Sequence, residues 1–347
     1  MNWKIRPYRE GDETQIIPLF NHIFNKSITS EYYNWKVSLS PFTLHCPTVW
    51  IAETENKLIG HYASTPMKFW INSREYTVVH DSDAMTHPDF RKEGIFTALA
   101  QAARVEFRNC GVGFMMRLAN RKWNLRTDYQ NYEVLKKIHW FYRPLRANSL
   151  RPRSLKDIML QGLRNIISFA SRVPEPFIRL VTHRIRISES DHANDEFDVL
   201  WDELKQYYNA VVRNKVWLNY RYTRSPGQTY HFLSAYQNGQ LRGYLVYRLQ
   251  ANASQTVAYI VDLFTAPKDI RIRLALVYHC VQKLNVLKVE TVKALAQSDT
   301  SALFFLSGFF RARAHYEIAV APLNAEVSNI DALRDGSFFM GGDFDVV

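Results

Sequence analysis

Two aspartates one residue apart, Asp81 and Asp83, close an apolar run, and a short charged loop, Arg91-Lys92-Glu93-Gly94-Ile95, then opens an Ala- and Leu-rich segment. Side chains two apart on a strand project to the same face, so the two carboxylates are expected to repel each other and leave one with raised proton affinity, a competent base near neutral pH. A loop running into a helix start offers backbone N–H groups at the positive end of the helix dipole, which suits phosphate oxygens. Gly94 would let a ligand approach the backbone closely, and Arg91 adds a positive charge. The pattern therefore pairs a proton acceptor with an anion cradle. The competing reading is an ordinary strand-to-helix turn with a solvated charge run, and for Asp83 a structural cap.

The elements that must position these groups follow from periodicity. A strand is expected over Lys4–Tyr8, a helix from Asp12 through Phe24 with Ile16, Ile17, Leu19, Phe20 and Ile23 on one stripe, and a short helix from Ser30. Three strands, Val49–Thr54, Leu58–Met67 and Glu75–Met85, form an antiparallel meander. Helix Ile95–Phe107, strand Val112–Leu118 and helix Trp123–Lys137 complete a mixed sheet with helices on both sides. The order then recurs: strands Tyr230–Tyr236, Leu241–Leu249 and Val257–Thr265, helix Arg271–Leu284, strand Val289–Ala294 and helix Ser301–Phe305, with a tail from Phe338 to Val347 laid against one of the domains.

The recurrence reaches individual residues. Tyr33-Asn34-Trp35-Lys36 followed by Pro41 matches Leu218-Asn219-Tyr220-Arg221 followed by Pro226, and Leu58-Ile59-Gly60 matches Leu241-Arg242-Gly243. Asp83-Ala84-Met85-Thr86-His87-Pro88 matches Asp262-Leu263-Phe264-Thr265-Ala266-Pro267. This argues for an internal duplication. The fold class expected is α/β (α+β): two tandem mixed sheets flanked by helices, residues 1–143 and 196–347, joined by a basic helical linker over 144–195. Six residues after Pro88 stands Gly94, but six after Pro267 stands Arg273, so no second phosphate site is expected.

Composition narrows the class. A chain of 347 residues that is 47% hydrophobic and 14% aromatic, with 13 Gly and 13 Pro, is neither disordered nor collagen-like. No apolar run reaches the roughly 20 residues of a membrane span, and no apolar signal segment follows Met1, so a cytoplasmic protein is expected. Cys46, Cys110 and Cys280 are far apart and read as reduced packing residues; no metal site is expected. Of the net charge of +11, +8 lies between Arg143 and Arg186, with ten basic residues against two acidic. That stretch, about 150–190, reads either as a connecting helix or as a surface for anionic lipid at the inner face of a membrane.

The strand, Pro88 and the loop Asp89-Phe90-Arg91-Lys92-Glu93-Gly94-Ile95 before an apolar helix resemble the acyl-CoA pyrophosphate loop of the GNAT superfamily of N-acyltransferases, over about residues 3–143. Phe96 departs from the family's pattern, which has Gly or Ala at that place. The resemblance implies that Met85, Thr86 and His87 bind the pantetheine arm as an added strand. It implies that Arg91, Lys92, Glu93, Gly94, Ile95, Phe96 and Thr97 surround the pyrophosphate, and that Asn120 contacts the cofactor. It further implies acetyl-CoA (acyl-CoA) as co-substrate, a small-molecule primary amine as acceptor, and direct attack without a covalent enzyme intermediate. Asp83 is the first choice for the base, Asp81 the second. The family's usual Tyr donor to the thiolate is replaced by Leu135, leaving Tyr132 or Tyr129; His80 and His87 flank the site.

Two other readings stay open. Val78-Val79-His80-Asp81-Ser82-Asp83 also resembles the Asp-x-Asp strand of glycosyltransferases, and aminoacyl-tRNA-dependent transferases likewise pair two such folds, although nucleic acid is the less favoured partner. The acceptor class suggested by analogy is an amino sugar or an envelope or polysaccharide precursor; oligomeric state is not legible.

Overall fold

The computed structural model describes residues 3–55, 57–119, 132–146, 166, 168–252, 255–327 and 329–344. Its first half runs β1 (Lys4–Pro7), α1 (Glu13–Phe24), α2 (Ser30–Ser38), β2 (Val49–Thr54), β3 (Lys57–Ile71), β4 (Arg74–Thr86), α3 (Ile95–Asn109), β5 (Phe114–Ala119) and β6 (Glu133–Pro144). The second runs α4 (Glu175–Thr182), β7 (Arg186–Ser190), α5 (Asp195–Leu204), β8 (Asn209–Val211), α6 (Lys215–Leu218), β9 (Tyr230–Gln237), β10 (Gln240–Asn252) and β11 (Gln255–Thr265). It ends with α7 (Ile270–Val286), β12 (Thr291–Gln297), α8 (Ser301–Leu306), β13 (Phe310–Pro322), α9 (Ile330–Arg334) and β14 (Ser337–Phe338). The expected mixed sheet with flanking helices is present, and most expected strands and helices fall within a few residues of their places.

One sheet carries both halves, in the order β1-β2-β3-β4-β5-β13-β6-β12-β11-β10-β9-β7. The halves exchange their last strands: β13 lies antiparallel to β5, Val320 opposite Met116, while β6 lies antiparallel to β12, Phe141 opposite Ala294. The matched residues Trp35 and Tyr220 meet at the junction. Trp35 Nε1 donates to the Tyr220 carbonyl at 3.0 Å, the Tyr220 hydroxyl donates to the Trp35 carbonyl at 3.1 Å, and the rings stack.

The matched glycines do one job twice. A Cβ on Gly60 would stand 2.7 Å from Ile95 Cγ2, and one on Gly243 would stand 3.1 Å from Ile272 Cγ2. In each half the helix after the meander sits directly on a strand that has no side chain there. Beneath α3 the core is Ile59, Tyr62, Val79, Leu99 and Met115; across the sheet α1 and α2 cover Ile51, Leu58, Ala63 and Met85.

Two expectations need correction. The helix expected over Trp123–Lys137 is, in its described part, the start of strand β6; residues 123–131 lie outside the described residues. The pairing of β6 with β13 shifts register twice, and the buried positions Leu135, Ile138 and Phe141 fall three apart, a spacing that imitates a helix. The sheet of the second half also begins earlier than read, because β7 pairs with β9 inside the stretch taken as linker. Residues 147–165 and 167 of the expected linker lie outside the described residues.

Because each half closes with the other's strand, residues 1–146 made alone should lack a cooperative unfolding transition, whereas fragments 1–146 and 147–347 made together should copurify. Size exclusion and circular dichroism check this; a folded, monomeric 1–146 would contradict it.

Candidate acyl-CoA site

Strand β4 belongs to two ladders along only part of its length. It pairs with β3 from Arg74 to Thr86 but with β5 only at Val79–Met115 and His80–Met116. Beyond His80 the two parallel strands part, and the β5-side edge of Asp81–Thr86 has no ladder partner among the described residues. This is the wedge into which an extended arm could add as a strand, the place expected for Met85, Thr86 and His87.

A bulge sits at its apex. Ala63 faces Asp83 but Ser64 faces Asp81, so Ser82 is the extra residue, and its hydroxyl donates to the Ala63 carbonyl at 3.2 Å. The expected shared face for the two carboxylates is thereby overturned, since an inserted residue inverts the alternation. Asp83 turns toward α2, where Lys36 Nζ lies 2.8 Å away, both side chains largely buried. Asp81 turns toward the α3 side. It accepts from Ser64 Oγ and Arg117 Nη2, each at 3.1 Å, and from the Tyr132 hydroxyl. The Arg117 guanidinium lies 3.5 Å from the Tyr132 ring centroid. The carboxylates are thus two separate ion pairs rather than a mutually repelling couple, and the Asp-x-Asp arrangement of a shared metal is not formed.

Burial, then the Asp81 charge, drives the Tyr132 hydroxyl well above the ordinary tyrosine range, so it stays protonated. Behind Asp83, the Tyr33 hydroxyl and His61 Nε2 are 3.1 Å apart. Burial pushes the His61 imidazole down to about 4, the Asp83 charge opposing this and Lys36 adding to it. His80 lines a narrow crevice with Trp35, Lys36, Trp217 and Arg221, and its ring meets Phe344 edge-on at 5.5 Å.

The loop at the mouth of the wedge fits an anion. Lys92 and Gly94 are both left-handed, at φ 69° and 79°, and no side chain caps α3. The first intrahelical bond runs from Ala98 N–H to Gly94 C=O, so the preceding amides are not used within the helix. A Cβ on Gly94 would meet nothing within 4 Å: the space before it is open. Arg91 and Lys92 are exposed beside it. Phe96 is accommodated by turning against Tyr62, ring centroids 6.1 Å apart. His87 accepts from the Asp89 N–H at 3.4 Å. Asn120 and Tyr129 lie outside the described residues.

The second half has the same bulge, with Val246 opposite Asp262 and Tyr247 opposite Ile260, but its site is filled from within. Asp269 caps α7 by accepting from the Ile272 N–H at 3.2 Å, and Arg273 ties the loop by donating to Thr265 Oγ1 at 2.8 Å. The C-terminal tail occupies the wedge between β11 and β12. Met340 bridges Ala296, and a Cβ on Gly342 would stand 2.9 Å from the Val261 carbonyl. Asp343 pairs with Arg213 at 2.8 Å beside Asp262. Burial, against Arg213, pushes the Asp343 carboxyl up to about 6.

Residues 4–120 match the family model described as an acetyltransferase (GNAT) domain. Residues 4–120 are a GNAT domain. Solved structures extend the likeness to the whole tandem fold. A GCN5-related N-acetyltransferase from Anabaena variabilis superposes with TM-score 0.65 at 13% identity, covering 93% of this chain and 73% of that one. One from Kribbella flavida gives 0.61 at 11%, covering 94% and 73%. Saccharomyces cerevisiae N-myristoyltransferase, solved with bound myristoyl-CoA, gives 0.61 at 10%, covering 92% and 82%. A comparison with curated proteins gives no match. The matched stretch contains both the wedge between β4 and β5 and the uncapped helix start at Gly94.

Lys36, Ser64 and Arg117 escaped the sequence reading. Arg117 was visible as a charge inside the apolar strand Phe114–Ala119, a position that demands a buried partner. Lys36 was visible in the repeated Tyr33–Lys36 skeleton but marked only the repeat.

A buried neutral His61 makes stability pH-dependent. The unfolded chain takes up its proton near pH 6.5, the folded chain only near 4, so stability falls as pH drops from about 6.5 toward 4. Urea titrations at pH 7 and pH 5 should show the wild type losing about 2 kcal/mol more than His61→Gln; equal losses would contradict the assignment.

Proposed function

We propose that the chain transfers an acetyl group from acetyl-CoA to a primary amine on a small molecule, by direct attack of the amine on the thioester carbonyl. The observation that carries this reading is the contrast between two equivalent helix starts: the one at Gly94 is uncapped and open, the one at Asp269 is capped and tied. The open one stands at the end of the wedge between β4 and β5, where a diphosphate and its arm would have donors in sequence.

In this reading the pyrophosphate lies against the amides of residues 93–97 with Arg91 and Lys92 nearby. The arm runs along Met85–His87, which brings the thioester toward the bulge at Ser82. The acceptor enters from the α2 side, where Asp83 takes the amine proton, directly or through a water. From the opposite face, Tyr132 is the donor this reading assigns to the departing thiolate, its hydroxyl turning from Asp81 to the sulfur as the C–S bond breaks. Asp81 and Arg117 position Tyr132. An amino sugar or an envelope or polysaccharide precursor is the acceptor class we favour, and an amine panel in a thiol-release assay ranks it. The glycosyltransferase reading is disfavoured by the opposed directions of Asp81 and Asp83.

Two tests follow. Gly94→Val puts a branched side chain at a left-handed residue, which costs roughly 1–2 kcal/mol of stability. It should abolish acetyl-CoA binding in calorimetry while the fold persists; retained affinity refutes the loop. Asp83→Asn should lower turnover about a hundredfold with acetyl-CoA affinity kept. Because it leaves Lys36 buried without its carboxylate, Lys36→Met/Asp83→Asn is the stability control. Full turnover in both variants would place the base elsewhere.

A further inference from the structure

Several large apolar side chains of the described residues between Ile166 and Arg186 face outward. The inward face of this segment carries Ser168, Ser171, Ile178, Thr182 and Ile185. Outward stand Ile166, Phe169, Val173, Phe177 and Leu180, each between 64% and 76% exposed. Ile166 and Phe169 are three apart in one helical stretch and Phe177 and Leu180 three apart on α4, with Val173 in the turn between, so the exposed apolar side chains run along the segment as a stripe broken by that turn. Among the described residues nothing covers these two phenylalanines and the leucine; contiguous patches of this kind mark a contact surface.

The stripe is held firmly from behind. Glu175 pairs with Arg143 and accepts from Gln282 Nε2 at 3.1 Å, and Arg271 Nε donates to the Val181 carbonyl at 3.1 Å. Gly308 passes so close that a Cβ on it would stand 2.1 Å from the Ser171 carbonyl oxygen. Around the stripe Arg172, Arg179, His183, Arg184 and Arg186 are all exposed, while the one acid between residues 166 and 186 is Glu175, already engaged by Arg143.

We propose that this face docks the protein on the surface of an anionic lipid bilayer, the apolar stripe entering the headgroup–acyl boundary and the arginines meeting lipid phosphates. Charge complementarity selects this occupant. A second copy of the chain would bring arginine against arginine across a two-fold contact, which costs affinity. No helix among the described residues is long and apolar enough to cross a membrane, so the attachment is peripheral.

The full chain, spun with vesicles of phosphatidylcholine containing roughly one-third phosphatidylserine, should sediment with them, should not sediment with pure phosphatidylcholine, and should be released by salt. Phe177→Ser/Leu180→Ser and, separately, Arg179→Glu/Arg184→Glu should each weaken this by about tenfold or more, with acetyl-CoA affinity and melting midpoint unchanged. The proposal fails if the wild type ignores the anionic lipid or if both folded variants bind vesicles as it does. It also fails if sedimentation velocity shows a wild-type dimer that Phe177→Ser/Leu180→Ser converts to monomer.

Discussion

A β-strand satisfied on one edge and released on the other is the constraint from which this site follows. β4 keeps its ladder with β3 to Thr86 while β5 leaves it after His80. Unpaired edge groups in a protein interior are costly unless something pairs them. A ligand that presents amide groups in an extended arm is one solution, and a peptide segment is another. The second half takes the latter and fills its wedge with the chain's own tail; the first has no ladder partner there among the described residues, and the proposed function assigns that edge to the cofactor's arm.

The bulge at Ser82 converts this opening into a place where chemistry can be divided. By setting Asp83 and Asp81 on opposite faces of the sheet, it gives each carboxylate its own cation and its own side of the wedge. The cost of burying Lys36 and Arg117 is offset by those pairings, which also fix the two carboxylates in position. That β11 retains a bulge beside Asp262, with Arg213 and Tyr244 now engaging the carboxylate, shows that the bulge also serves the architecture. Each half carries an aspartate at the apex, and the surroundings of that aspartate differ between the halves.

Much of this was legible from sequence because the informative residues are ones whose backbone demands are local. Gly94 before an Ala-rich helix, Gly60 and Gly243 at the start of apolar strands, and the Asp–Thr–Pro spacing all report short-range geometry. What failed to show was decided by distant pairing. The β6 stretch around Leu135 looks helical until its bulges against β13 are known, and that partner lies far along the chain. The shared face of Asp81 and Asp83 was a sound inference for a regular strand; one extra residue, set by the register against Ala63 and Ser64, reversed it. The exchange of β6 and β13 leaves no local mark at all.

Amide hydrogen exchange with and without coenzyme A tests the central claim most directly. The account predicts slowed exchange from Met85 through Thr97 on addition of the ligand and no change across Lys268–Arg273. Binding detected by calorimetry with the first stretch unprotected, or with protection at the second, would contradict it.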